Sequence, residues 1–102
     1  MGLFMITVWY PPHKAPEIAK LYLKAPRKIP FISKWRVYNT AAGPDGIKAY
    51  HVIYTERGKF EEAMLEVNKY FVPFFSIEGF RYLAEPLIGV SDSYKAFGMK
   101  WE

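Results

Sequence analysis

The stretch LFMITVWY, Leu3 to Tyr10, is apolar or strand-forming at every position, which predicts a β-strand buried on both faces. PPHK breaks the run. Pro16 suits the first turn of a helix on which Ile18, Leu21, Tyr22 and Ala25 recur at i, i+3, i+4 and i+7, with Glu17, Lys20 and Lys24 on the opposite side. Pro26 and Pro30 end that helix.

Two further strand patterns, FISKWRVYNTAA and IKAYHVIYTER, flank GPDG. Pro44, Asp45 and Gly46 fit a type I turn whose glycine supplies the left-handed residue of a bulge. That geometry pairs Gly43 near Ile47, Asn39 near His51, Val37 near Ile53 and Trp35 near Thr55. Alternation then puts Trp35, Val37, Asn39, Ala49, His51 and Ile53 on one face. Arg36, Tyr38, Thr40, Lys48, Tyr50, Val52 and Tyr54 take the other.

Gly58 reads as the N-cap of a second helix, with Glu61 and Glu62 complementing its dipole and Phe60, Met64, Val67 and Phe71 on one stripe. Lys69 falls in the last turn and Pro73 stops the helix. The loop SIEGF leads to RYLAEPLIGV, a strand that Pro86 assigns to a sheet edge or a bulge. Ser91 then caps a short helix through Phe97 that Gly98 ends, and MKWE forms a tail. The order β-α-β-β-α-β predicts a single α+β domain over residues 1–102, of the ferredoxin-like split βαβ type with an antiparallel sheet. Two helices cover one face of such a sheet. These strands are apolar or aromatic on both faces, so a second copy of the chain is the expected cover.

Composition strengthens that expectation. Of 102 residues, 19% are aromatic, including three Trp, eight Tyr and eight Phe, more than a compact monomer of this length readily hides. The net charge of +4 comes from scattered lysines and arginines, without an RNA-recognition motif, zinc finger or Gly-Arg tract, so nucleic acid is not an expected partner. Cysteine is absent, which excludes disulfides, thiolate catalysis and thiolate metal sites. The opening apolar run is far short of the roughly 20 residues that span a bilayer, and it lacks the pattern of a signal peptide. The expectation is a cytosolic protein without membrane contact.

In element order, element lengths and the opening MITVWY strand, the chain resembles the dimeric α/β-barrel superfamily, in which two ferredoxin-like chains join their sheets into a barrel. The resemblance implies a homodimer and a barrel interior lined by the second sheet face. That superfamily includes haem-degrading and cofactor-free quinol monooxygenases, which typically use an Asn on the first strand, a Trp on the third, and a His or Tyr near the second helix. Here the first strand has no Asn, the third no Trp, and the second helix no His. Trp9, Trp35 and Asn39 stand elsewhere, so that pattern does not carry over.

Candidate chemistry is correspondingly sparse. His13 and His51 are the only histidines, at no metal-binding spacing, and no metal or cofactor is expected. His13, in a Pro-rich loop, reads as a solvated surface residue. Glu61, Glu62 and Glu66 have the spacing of a solvated helix face. Arg36, Tyr38, Tyr50, Tyr54 and Glu85 form the candidate ligand-binding set, an aromatic wall with a few polar anchors. The same tyrosines also suit a filled dimer interface. His51 reads as a neutral structural histidine bonded to Asn39 across the strands. The functional expectation is a homodimer binding a small apolar or aromatic molecule in its barrel. A cofactor-free or haem-dependent monooxygenase and a ligand-free interaction module are the alternatives.

Overall fold

The computed structural model describes residues 2–40, 43–44 and 46–100. Its strands are β1 (Leu3–Tyr10), β2 (Ile32–Asn39), β3 (Ile47–Thr55) and β4 (Arg81–Leu87), and its helices α1 (Ala15–Lys24), α2 (Phe60–Phe71) and α3 (Val90–Ala96). One sheet runs in the order β2-β3-β1-β4, with every neighbouring pair antiparallel. The result is a small α+β fold compatible with ferredoxin-like architecture.

Both longer helices lie on one face of the sheet. Phe4, Ile6 and Val8 of β1 and Ala49 and Ile53 of β3 meet Ile18 of α1, Val67 and Phe71 of α2, and Phe74 beyond it. Burying each such large side chain contributes roughly 1.5–3 kcal/mol. β1 is accordingly not sealed on both sides. Phe4, Ile6, Val8 and Tyr10 point under the helices, whereas Leu3, Met5 and Trp9 on the other face are only half-buried, because no helix covers them.

The hairpin between β2 and β3 differs from the predicted register by two residues. Gly43 bonds to Gly46 in both directions, at 3.0 and 2.9 Å, so the turn closes tighter than a Gly43–Ile47 pairing allows. Asn39 pairs with Ala49, Val37 with His51 and Trp35 with Ile53, two residues from the predicted register, of which the tighter turn supplies one. Gly46 takes the predicted left-handed conformation at φ +89°; Asp45 lies outside the described residues. A shift of two preserves the faces while changing the partners: Arg36 pairs with Val52 rather than Tyr54, and Tyr38 with Tyr50 rather than Val52.

Two caps also differ. Gly58, at φ +75°, serves the turn in which the Lys59 amide bonds to the Glu56 carbonyl, and Lys59 becomes the N-cap of α2. Gly89 rather than Ser91 caps α3, and its carbonyl accepts from the Ser93 amide. Pro73 ends the α-helical pattern without ending the helical path, which tightens into a 3-10 turn over Val72–Ser76. β4 pairs only with β1 and is an edge strand, the position predicted from Pro86. α3 stops before Gly98, as expected.

Candidate functional site

The open face of the sheet is built from cross-strand rows. Arg36, Val52, Met5 and Glu85 form one row across the four strands, and Tyr38, Tyr50, Thr7 and Leu83 form the next. Lys34, Tyr54, Leu3 and Leu87 lie on one side of these, and Lys48, Trp9 and Arg81 on the other. Arg36, Tyr38, Tyr50 and Tyr54 are therefore neighbours on β2 and β3. Glu85 shares their face from the opposite edge strand, with Val52 and Met5 between it and Arg36.

Aromatic rings on this face are held by cations. The Lys48 Nζ lies 5.7 Å from the Trp9 ring centre and 5.4 Å from that of Tyr50, and the Arg81 guanidinium lies 5.1 Å from Trp9. Lys34 stands 5.5 Å from Tyr54. Contacts at these distances fix the rings and keep the charges at the rim.

His51 lies on the other face and is fully buried. Its partners are Trp35, whose Nε1–H donates to Nδ1 at 2.9 Å, and Tyr22, whose hydroxyl lies 2.9 Å from Nε2. Asn39, two positions along β2 from the Val37 that faces His51, makes no such bond. The donor pattern fixes the protons. An indole N–H can only donate, so Nδ1 is the acceptor and the neutral ring carries its proton on Nε2. Nε2–H then donates to the Tyr22 oxygen. Burial holds the imidazole neutral by lowering its pKa to about 4. Phe71 packs edge-on against the ring at 5.0 Å, and Tyr22 stacks on it at 5.8 Å.

Beside this chain lies a cavity of about 310 Å³ between α1 and the β2–β3 edge, lined by Tyr10, Ile18, Tyr22, Val37, Asn39, His51 and Tyr70 among others. Burial raises the phenol pKa values of Tyr10, Tyr22 and Tyr70, and for Tyr22 the two other phenols add to the rise. A larger depression of about 530 Å³ runs between the end of α1 and α2, with Leu21, Ile29 and Phe74 in its lining and Lys24, Lys28 and Lys69 among its polar groups. Among the described residues, no group of three or more His, Cys, Asp or Glu is placed to hold a metal ion, and no helix is long and apolar enough to cross a membrane.

The residues that complete the His51 arrangement are far from it in sequence, Trp35 by 16 positions and Tyr22 by 29. A usable signal existed for Trp35, a donor-only ring on the same predicted sheet face as His51. Tyr22 was readable only as part of an apolar helical stripe. Comparison of the chain with known protein families, with curated proteins and with solved structures gives no match.

Proposed function

We propose that the chain acts as a homodimer whose open sheet faces pack together, as in a dimeric α/β barrel, and enclose a small apolar or aromatic molecule. The observation that carries this reading is the uncovered face. It presents Met5, Trp9, Tyr50, Val52 and Tyr54 half-buried, and leaves Tyr38 53% and Leu83 44% exposed in the single chain. A patch of this kind is characteristic of an interface or a ligand wall.

The distribution of charge supports a two-fold pairing. Turning a second copy about an axis along the strands lays β2 of one copy over β4 of the other, and β3 over β1. Arg36 of each copy then faces Glu85 of the other, Lys48 faces Trp9, and Lys34 faces Leu87. No cation on the face opposes a cation. Tyr38, Tyr50 and Tyr54 would form the wall against which the enclosed molecule packs, with Arg36 and Glu85 closing the sides.

Sedimentation equilibrium tests the pairing, and native mass spectrometry tests the occupant. A species of about twice the 11.9 kDa chain mass at micromolar concentration, carrying an organic adduct or taking one up, is the expected result. A clean monomer defeats the pairing. A dimer that holds and takes up nothing defeats the ligand half and leaves an interface filled by tyrosine.

A further inference from the structure

We infer that the cavity between α1 and the β2–β3 edge is a second binding site, for an uncharged small molecule whose carbonyl oxygen is received by the Tyr22 hydroxyl. It lies on the helix-covered side of the sheet and is complete within one chain, so it stands independently of the dimer.

One hydrogen-bond chain ends at the wall of this cavity. Trp35 donates to Nδ1 of His51, and Nε2–H of His51 donates to the Tyr22 oxygen. The direction cannot reverse, because a Tyr22 donor would leave His51 with no proton on either nitrogen while accepting at both. Tyr22 therefore keeps its own proton to give, and among the described residues no protein acceptor is bonded to it. A donor with a fixed ring, a fixed partner and an unused proton at a cavity wall is preorganised for an acceptor on a ligand.

The rest of the lining narrows the class. Tyr10, Tyr70 and Asn39 add neutral polar groups, Ile18 and Val37 add apolar wall, and among the described residues no Lys, Arg, Asp or Glu lines the space. Burial that raises the phenol pKa values and lowers that of the imidazole penalises anions and cations alike, so a charged guest is disfavoured. A volume of about 310 Å³ is at the small end for ligand cavities and suits a molecule built on a single ring.

The test is a nuclear magnetic resonance titration of the whole chain with acetophenone, read at the Trp35 indole N–H and the His51 ring nitrogens. α-Methylstyrene, of similar shape without the acceptor, and benzoate, which adds a charge, are the comparators. Acetophenone should shift the Trp35 and His51 signals and bind more tightly than α-methylstyrene by roughly two- to tenfold, the worth of one neutral hydrogen bond. Benzoate should bind more weakly still. Tyr22→Phe should lower acetophenone affinity by a similar factor. Should that variant fail to fold, Ala19→Phe decides, because Ala19 is exposed on α1 and lines the same cavity without touching the hydrogen-bond chain. It should abolish uptake and leave the Trp35 indole resonance in place. Overturning results are acetophenone that shifts nothing at millimolar concentration, that shifts only open-face residues such as Trp9, that binds no better than either comparator, or that binds Ala19→Phe unchanged.

Discussion

At His51, sealing an imidazole between an indole and a phenol makes stability depend on pH. Its pKa is about 4 when folded, against 6.5 for the free side chain. Between those values the unfolded chain takes up a proton that the folded chain refuses. This contribution is fully present above about 6.5 and is lost as pH falls toward 4, by at most about 3 kcal/mol. His51→Gln should cost roughly 1–2 kcal/mol near neutral pH through the compromised buried bonds. In urea unfolding, the gap between the parent and this variant should close and then reverse as pH drops toward 4, since carboxylate titration is common to both. A gap that stays constant contradicts the sealed, neutral ring. Thr55 poses the opposite case: its Oγ1 is buried with no hydrogen-bond partner among the described residues. Thr55→Val keeps the shape and removes the orphaned hydroxyl, so thermal unfolding should show stability unchanged or raised by about 1 kcal/mol. That His51 faces the core follows from alternation along β3. Its partners do not, because Tyr22 reaches it only through the way α1 docks, and local spacing carries no such information.

Among the elements, the hairpin shows which predictions survive an error. The pairing partners of β2 moved by two residues, yet every side chain kept its face, because side-chain direction along a strand has a period of two. An error of one in this pairing would have put Arg36 and Tyr38 on the face of His51, and Trp35 and Val37 on that of Tyr50. The turn that sets this register depends on Gly46, whose φ is +89° and whose added Cβ would lie 2.5 Å from the Tyr10 carbonyl oxygen. Gly46→Ala therefore meets both backbone strain and a clash with β1. It should cost on the order of 2 kcal/mol or more, measured as a lowered midpoint of denaturant unfolding. Strand and helix existence was legible because the apolar periods are strong. The caps were not, because Gly58 and Ser91 satisfy the composition rule for an N-cap, whereas the backbone bonds of the preceding turns decide which residue occupies it.

For the whole molecule, the α+β class and the element order were readable from the chain, and so was the surplus of aromatic surface. What covers that surface is not carried by the local spacing of residues along the chain. The proposed pairing makes a charge test possible. Arg36→Glu should place like charges together at two symmetric contacts and weaken the dimer by roughly 1–2 kcal/mol in sedimentation. Glu85→Arg should do the same, and the double variant should recover most of the loss. Equal, additive losses in the double variant would mean that β2 and β4 do not meet.

Pro86 has a further consequence for how this sheet can grow. It sits on β4 opposite Phe4, where the outer edge of the sheet lacks one amide donor. At the other edge, the ladder of β2 is interrupted between Ile32 and Lys34, and Lys34 and Arg36 are exposed along it. Neither border is a clean template for an added strand, so open-ended extension is blocked at both sides. Association through the broad face closes on itself after one partner, whereas association through an edge could continue without limit. Concentrating the protein should therefore yield a finite particle, with no fibrous species by light scattering.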